Sequence, residues 1–345
     1  MRKNYFLFPQ MQINSGGHLA QVNLLEMARK IVPSDAVTYE TREENTPFLD
    51  DILNSPETDD AIFFVHWGPH VPGLIQRLAG RNVVYVSYST GYGFDIPVHV
   101  PILAGSRHTQ AYWGRRSPRS AVYYMPCTIA EKYKNLHLPR EIDVLVQHRK
   151  SSRYLLEELV PALQPHCSVV VLDYWVADLA EEFNKSKIYL YDSAEYWIQN
   201  GVSEGFGLPP LEALACGCTV FSSVNDALSD YLEPGFNCQK INTYSLDYDV
   251  KRILKAVADW KEPDSIEQPD PAAAYRKDQV EGRLRVILSE LDLFFSENKP
   301  PVWVAASQPD ESTVLPVPVT GIRRFAPKRV LRRLRDVLIK ILSRL

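Results

Sequence analysis

The sequence has no uninterrupted apolar run of 18 residues, which is about the length that a helix needs to span a bilayer. Its opening residues, MRKNYFLFPQ, reach Pro9 before the apolar core of a signal peptide could form. We therefore expect no membrane-spanning helix, no export through a signal peptide, and a cytoplasmic protein.

Cysteine is scarce and odd in number, with five residues scattered through apolar surroundings. This usage argues against a disulfide framework and suits reduced thiols in the cytoplasm. Cys216 and Cys218 stand two residues apart, but no second Cys or His pair follows at the spacing of a metal site. We interpret both as small core residues and expect no bound metal.

Most of the chain also lacks an excess of basic charge. Residues 1–320 hold 29 basic and 41 acidic side chains, a net charge of −12, whereas residues 321–345 hold nine basic side chains and one acidic. Proteins that bind nucleic acid present a basic face, so the acidic body argues against such a partner. The basic C-terminal segment needs a separate explanation.

The length of 345 residues suits two domains of about 150 residues each. Short apolar runs alternate with helical patterns, as expected of βα units around a parallel sheet. One series begins with NYFLF near the N-terminus and a second begins at Ile142. We predict an α/β protein with doubly wound, Rossmann-like domains at residues 1–130 and 140–270, and a long helix at residues 271–298 that closes the fold.

The most informative segment is SEGFGLPPLEALACGCTVFSS, at residues 203–223. Glu204 lies in a glycine-containing loop, and Glu212 lies eight residues later, near the start of a predicted helix. Carboxylates accept hydrogen bonds from sugar and ribose hydroxyls, and glycine lets a backbone approach a ligand closely. The helix N-terminus adds positive potential toward a diphosphate. The alternative is that Glu204 is a loop charge and Glu212 a first-turn acid that complements the helix dipole.

This segment resembles the retaining GT-B glycosyltransferases of the group 1, or family-four, type, whose signature is E-x7-E within an EGFGLP frame. The matching residues are Glu204, Gly205, Phe206, Gly207, Leu208, Pro209, Leu211, Glu212, Ala213, Ala215, Gly217 and Val220. The resemblance implies the GT-B fold, in which two domains face each other across a cleft. It also implies that Glu204 and the four residues after it hold the transferred sugar, while Glu212 binds the ribose hydroxyls.

The resemblance extends over residues 5–295. Gly16 and Gly17 are similar to the family's N-terminal glycine loop, whose amides would meet the phosphates or the acceptor. Many members place a histidine in the first domain near the transferred sugar, and His66 in VHWGPH is the candidate here. A structural role is the alternative for His66.

The family also carries an arginine and a lysine that neutralise the donor diphosphate. The corresponding stretch here is DVLVQHRKSSRYLLEEL, in which the family's glycine before the arginine is missing. We expect Arg149 and Arg153 to face the phosphates, with Lys150 as a substitute. The alternative is an ordinary basic helix start, which the helix dipole disfavours.

The function implied by the resemblance is transfer of a sugar from a nucleotide-diphosphate sugar to a glycan, a lipid-linked saccharide or a polysaccharide. The resemblance implies retention of configuration, with no metal and no other cofactor. Two alternatives stay open. One is a GT-B epimerase or sugar-phosphate synthase, and the other is a catalytically inactive GT-B protein that acts as a membrane-tethered binding subunit.

The C-terminal residues predict a tether and an amphipathic helix. Residues 299–320 are proline-rich and predict a linker. In residues 321–345 the stretch PKRVLRRLRDVLIKILSRL has apolar residues at helical spacing and Arg or Lys in most other positions. Such a helix suits an anionic membrane surface, with an attraction of about 1 kcal/mol per basic residue. We expect peripheral binding to the inner face of the membrane, and packing on the acidic body or on a second subunit is the alternative.

Overall fold

The computed structural model describes residues 1–298 apart from 13, 14, 175, 177, 244 and 263–269. The described residues form two parallel sheets with helices between successive strands, as the alternation of apolar and helical segments predicted. The predicted linker at residues 299–320 and the predicted basic helix at residues 321–345 lie outside the described residues. No described helix is both long enough and apolar enough to cross a membrane.

The first sheet has six strands in the order β2-β1-β3-β4-β5-β6. They are β1 Asn4–Phe8, β2 Ser34–Thr38, β3 Ile62–Val65, β4 Asn82–Ser87, β5 Ile102–Ala104 and β6 Val122–Tyr124. β1 is paired on both sides, with Asn4 opposite Ser34 of β2 and Ile62 of β3. Every residue of β1 is buried, which explains why the run NYFLF lacks the alternation of a half-exposed strand.

The second sheet has five strands in the order β11-β10-β9-β7-β8. They are β7 Ile142–Gln147, β8 Val169–Leu172, β9 Ser186–Tyr191, β10 Thr219–Ser222 and β11 Cys238–Lys240. β7 pairs Val144 with Ile188 of β9 and with Val169 of β8. The chain passes from the first sheet to the second through residues 125–141, all of which are described and contain neither helix nor strand.

Helices connect the strands in both halves. The first half contains α1 Gly16–Arg29, α2 Leu49–Ile52, α3 Val71–Arg77 and α4 Arg107–Arg116. The second half supplies α5 Val160–Leu163, α6 Leu179–Asn184, α7 Ala194–Asn200, α8 Leu208–Ala215, α9 Leu246–Asp259 and α10 Lys277–Glu297. A π-helical turn, Tyr154–Leu159, runs directly into α5. Hydroxyl caps from Ser15, Ser106 and Ser245 fix the starts of α1, α4 and α9.

The long helix α10 begins at Lys277 rather than at the predicted residue 271. A 3-10 turn, Ala273–Tyr275, and the extended residue Arg276 precede it and delay its start. The helix follows the second sheet in sequence, but its apolar face packs in the core of the first half. Its buried residues Leu284 and Leu288 belong to the same apolar cluster as the β1 residues Phe6 and Phe8.

Successive residues of the central strands alternate between two apolar clusters, one on each face of the sheet. In the first sheet Phe6 stacks on Phe64 with ring centroids 4.4 Å apart, while Tyr5 stacks on Phe63 in the opposite cluster at 5.4 Å. The second sheet has two such clusters as well. Because both faces of each sheet are covered, the carboxyl ends of the strands are where polar side chains can gather.

Candidate functional site

Each sheet contains a point at which the order of the strands reverses. It lies between β1 and β3 in the first sheet and between β7 and β9 in the second. The loops that leave two such strands diverge to opposite faces and open a crevice, which is where ligands bind in open α/β sheets. The sequence-predicted site residues lie on the segments that follow these four strands.

Glu204 is 3% exposed, and three side chains donate hydrogen bonds to its carboxylate. The hydroxyls of Tyr191 and Ser193 lie 2.7 and 3.2 Å from its Oε2, and the indole N–H of Trp197 lies 2.6 Å away. The backbone N–H of Glu204 donates to Asp226 over 2.9 Å. A buried carboxylate requires such hydrogen-bond donors, so Glu204 is held in a defined polar site and is not a solvent-exposed charge on a loop.

Lys150 is the basic side chain that lies beside Glu204. Its Nζ is 4.0 Å from Oε1 of Glu204 and 4.1 Å from the centroid of the Trp197 ring. Burial lowers the pKa of Lys150, the charge of Glu204 opposes that effect, and the charge of Arg149 adds to it. The backbone of Lys150 has a φ of 67°, a left-handed conformation that costs energy for a residue with a side chain.

The two arginines that we expected at the phosphates lie further out. Arg149 is exposed. The side chain of Arg153 is 76% exposed and forms a 3.0 Å ion pair with Glu157 one helical turn later. Its backbone N–H donates to Glu195 over 2.7 Å. The structure thus brings Lys150, the expected substitute, to Glu204, while Arg153 is paired with Glu157.

Glu212 lies in the second turn of α8, whose first turn has no acidic residue. It is therefore not a first-turn acid that complements the helix dipole. Glu212 is 8% exposed, and burial raises the pKa of its carboxyl group to about 8, although the charge of Lys132 and the hydroxyl of Tyr133 counteract this in part. Without a ligand the carboxyl group is mostly protonated at neutral pH, so it can donate a hydrogen bond as well as accept one.

The residues that lead into α8 offer a ligand their backbone. Phe206 is 4% exposed and packs in an aromatic cluster, so its side chain is not available. Gly207 has a φ of 75°, which glycine adopts readily, and it precedes the first helical residue, Leu208. Pro209 and Pro210 have no N–H, so Leu208 supplies the free amide of the first turn. The helix start also provides positive potential toward an anion.

A set of hydrogen bonds, here called the clasp, joins Ser89 and Thr90 of the first half to Ser203 of the second. Oγ of Ser203 accepts from the N–H and the hydroxyl of Thr90, over 3.0 and 2.9 Å. The carbonyl of Ser203 accepts from the Ser89 hydroxyl over 2.7 Å, and the N–H of Ser203 donates to the Thr90 carbonyl over 3.1 Å. The clasp holds the loop after β4 against the loop that carries Glu204.

Two glycines allow this close approach. A Cβ atom at Gly205 would lie 1.7 Å from the carbonyl oxygen of Tyr88. At Gly91, where φ is 104°, a Cβ atom would lie 2.3 Å from the carbonyl oxygen of Gly201. Both distances are far below van der Waals contact, so any larger residue would force the two segments apart.

Gly16 and Gly17 are the first two residues of α1. The hydroxyl of the preceding residue, Ser15, accepts from the N–H of His18 over 3.2 Å and caps the helix. A Cβ atom at Gly17 would lie 4.0 Å from the ring of Tyr88, whereas one at Gly16 would meet open space. Because these residues open the helix, their N–H groups have no partner within it.

His66 follows β3 and, with the buried His18 and Gln21 and the half-buried Tyr88, forms a group here called the polar cluster. His66 is 1% exposed, and neither of its ring nitrogens has a hydrogen-bond partner among the described residues. Burial is the main cause that lowers the pKa of His66 to about 3, and His18 contributes. Within the described residues, Nε2 of His18 and Nε2 of Gln21 also lack partners. Tyr88 donates to Oε1 of Gln21 over 3.1 Å.

Buried polar atoms usually have hydrogen-bond partners, and a site with several unpaired ones calls for an explanation. The polar cluster lies at the carboxyl ends of β1, β3 and β4, where the first sheet has its crevice. The neutral imidazole rings can exchange hydrogen bonds with hydroxyl groups and provide no charge for an anion. The arrangement fits a neutral, hydroxyl-bearing ligand.

Sequence reasoning missed the residues that surround Glu204. Tyr191 ends β9 and Ser193 follows it closely, so their position at the carboxyl end of a central strand was a usable signal. Trp197 and Thr90 gave no such signal, because their contacts depend on how α7 and the loop after β4 pack. His18 and Gln21 read as ordinary residues of a surface helix, although both are buried.

Known proteins resemble the second half of this chain in sequence and most of the chain in fold. The family model described as glycosyl transferases group 1 matches residues 149–270, the region that contains Lys150, Glu204 and Glu212. Among curated protein sequences, no match to the chain was found.

Several solved structures are similar over most of their length. A sucrose-phosphate synthase from Thermosynechococcus elongatus has a TM-score of 0.54 at 14% identity, over 86% of this chain and 98% of its own. Anabaena HepE in complex with UDP-glucose has a TM-score of 0.57 at 13% identity, over 84% and 100%. A glycosyltransferase from Rickettsia africae has a TM-score of 0.55 at 10% identity, over 86% and 98%. The chain has the fold of the GT-B glycosyltransferases, as its sequence predicted.

Proposed function

We propose that this chain is a glycosyltransferase whose donor is a nucleoside-diphosphate sugar. The proposal is carried by two buried carboxyl groups on one short segment, Glu204 beside Lys150 and Glu212 in α8, the helix into which the Glu204 loop leads. Carboxyl groups recognise sugar and ribose hydroxyls, whereas a cation and a helix N-terminus recognise a diphosphate. The match of residues 149–270 to the group 1 model supports the same assignment.

Within this proposal each group has a distinct role. Glu204 and the backbone of residues 205–208 hold the transferred sugar, and Glu212 binds the ribose hydroxyls. Lys150 faces the diphosphate, and the exposed Arg149 adds charge at the entrance. Fixed positive groups at the diphosphate would stabilise the charge that develops as it leaves. Arg153 could join them only by giving up its pair with Glu157.

The first half supplies the second side of the proposed reaction site. Its two histidines are uncharged at neutral pH, because burial lowers the pKa of His66 to about 3 and lowers that of His18 as well. The cluster therefore suits hydroxyl groups, either of the transferred sugar or of an acceptor such as a glycan, a lipid-linked saccharide or a polysaccharide. Retention of configuration and independence of metal are proposed from the resemblance of residues 203–223 alone.

The donor is tested by the thermal stability of the full chain in the presence of UDP, GDP, ADP and dTDP sugars. A ligand that binds only the folded state raises its melting temperature. UDP-glucose is the first choice, because HepE was solved with it. If no nucleotide sugar changes the melting temperature, the proposal is wrong. Binding without acceptor-dependent turnover would instead favour an inactive binding subunit, and conversion of the donor without an acceptor would favour an epimerase.

The roles of the two glutamates are tested by separate readouts. Glu212→Ala should weaken the affinity for the free nucleoside diphosphate by about 1–3 kcal/mol, the value of two hydrogen bonds between the ribose hydroxyls and an uncharged carboxyl group. Glu204→Ala should lower turnover while this affinity stays within about twofold. Calorimetry gives the affinity, and the exposed Glu57→Ala is the matched control. An equal loss of nucleotide affinity in both site variants would contradict the division of roles.

We also propose that residues 321–345 bind the protein to an anionic membrane surface. Support comes from the nine basic residues and one acidic residue in this segment and from its apolar positions at helical spacing. The full chain should sediment with vesicles that contain phosphatidylserine, and about 1 M salt should release it. A chain that ends at Val319 should stay in the supernatant. Equal sedimentation of the two forms would contradict membrane binding and favour packing on the body or on a second subunit.

A further inference from the structure

Trp197 contacts both charged groups of the site. Its indole N–H donates to Oε2 of Glu204 over 2.6 Å, and its ring lies 4.1 Å from Nζ of Lys150. These contacts use different parts of one side chain, the N–H for the acid and the aromatic face for the base. An ammonium group above an indole face is favoured most when it is shielded from water, and the side chain of Lys150 is 25% exposed.

The contacts of Glu204 are divided between its two oxygen atoms. Oε2 accepts from Tyr191, Ser193 and Trp197, which all belong to β9 or the segment directly after it. Oε1 is the atom nearest to Lys150, at 4.0 Å. The three donors therefore fix the rotation of the carboxylate and direct Oε1 toward Lys150 and the crevice.

Trp197 is itself held by the turn that ends α7. Gly201 closes this helix in the left-handed conformation, and the N–H of Val202 donates to the carbonyl of Trp197 over 3.3 Å. Ile198, the next residue on the helix, is 79% exposed. The helix thus turns Trp197 inward to the site while its neighbour faces solvent.

We propose that Trp197 is the positioning residue of this site, which sets the orientation of Glu204 through its N–H and the position of Lys150 through its ring. The inference rests on the proposed use of Glu204 and Lys150 toward a nucleoside-diphosphate sugar. Trp197 acts through these two side chains and does not itself contact the donor. Trp197→Phe removes the N–H and keeps an aromatic ring, so the effect of the ring follows from the difference between Trp197→Phe and Trp197→Leu.

The experiment compares Trp197→Phe and Trp197→Leu in the full chain, with Ile198→Ala as the control on the same helix. UDP-glucose, or whichever nucleotide sugar raises the melting temperature most, serves as the donor. Trp197→Phe keeps an aromatic face but loses the N–H, so kcat should fall about tenfold with KM for the donor within about threefold. Ile198→Ala should leave both constants unchanged.

Trp197→Leu also removes the aromatic face under Lys150. Glu204, Arg149 and the ring of Tyr196, 5.8 Å away, are the other groups that face this ammonium. Losing the indole face should lower the pKa of Lys150 further, so the alkaline limb of kcat/KM should move to lower pH by about 0.5 to 1 pH unit. Trp197→Phe should leave this limb in place.

A second measurement does not depend on activity. The pH dependence of Lys150 acylation by an amine-specific reagent, followed by peptide mass spectrometry, reports the ionisation of Lys150 in each folded variant. If the acylation midpoint is the same in the wild type and in Trp197→Leu, the ring of Trp197 does not position Lys150. If kcat is unchanged in Trp197→Phe, the N–H of Trp197 does not set the orientation of Glu204. If the wild type binds no nucleotide sugar, the proposed function fails, while the shift in the acylation midpoint still decides whether Trp197 holds Lys150.

Discussion

The burial of Glu212 predicts that this residue destabilises the folded protein at neutral and alkaline pH. An ordinary glutamate has a pKa of 4.5, and burial raises that of Glu212 to about 8. Between these values the folded state holds a proton that the unfolded state has released. The folded state therefore binds more protons than the unfolded state across this window, and stability falls as pH rises through it.

The magnitude follows from the width of that window. Each pH unit is equivalent to about 1.4 kcal/mol, so the loss reaches at most about 5 kcal/mol once the pH exceeds 8. Glu212→Gln removes the ionisable group while it keeps the shape of the side chain. The free energy of unfolding of the variant minus that of the wild type should be about 3 kcal/mol larger at pH 8 than at pH 5.

The assay is urea unfolding of the full chain without nucleotide at both pH values. The matched control is Glu57→Gln, because Glu57 is an exposed glutamate in the other half. Its difference from the wild type should be the same at pH 5 and pH 8. If Glu212→Gln also shows no change with pH, the carboxyl group of Glu212 is ionised in the folded protein and the argument from burial is wrong.

Three further substitutions test the contact between the halves and one helix. Gly205→Ala should lower the melting temperature and abolish donor turnover, because its Cβ atom would lie 1.7 Å from the carbonyl oxygen of Tyr88. Gly282→Ala, on the open face of α10, should instead raise the free energy of unfolding by about 0.5–1 kcal/mol. Ser203→Ala should destabilise the protein by about 1–3 kcal/mol in urea unfolding, since it leaves the buried N–H of Thr90 without its acceptor; a variant as stable as the wild type would show that the clasp contributes no net stability.

The fold could be predicted from sequence because its signals are local. The runs NYFLF and TVFS, the latter at Thr219–Ser222, contain no charged residue and are apolar at their central positions. This is typical of strands covered on both faces, and both runs are strands. The start of α10 was placed too early, because the 3-10 turn Ala273–Tyr275 has apolar residues that continue the helical pattern.

The site was predictable only where its residues form one continuous motif. Glu204 and Glu212 lie in such a segment, and both are buried as expected of residues in a built site. Which of Arg149, Lys150 and Arg153 lies beside Glu204 could not be predicted in this way. Lys150 adopts a left-handed conformation that turns it toward Glu204, and no residue type near it predicts that conformation. The clasp could not be predicted from the sequence either, because it joins residues more than 100 positions apart.

Helix α10 has a consequence for the way in which the protein is made. Its residues Leu284 and Leu288 complete the core around Phe6 and Phe8, yet they are synthesised after all the strands of both sheets. During translation, part of the apolar surface of the first half therefore stays uncovered until α10 has been synthesised. A nascent chain arrested before Lys277 should expose that surface to chaperones, whereas one arrested well beyond Glu297 should not.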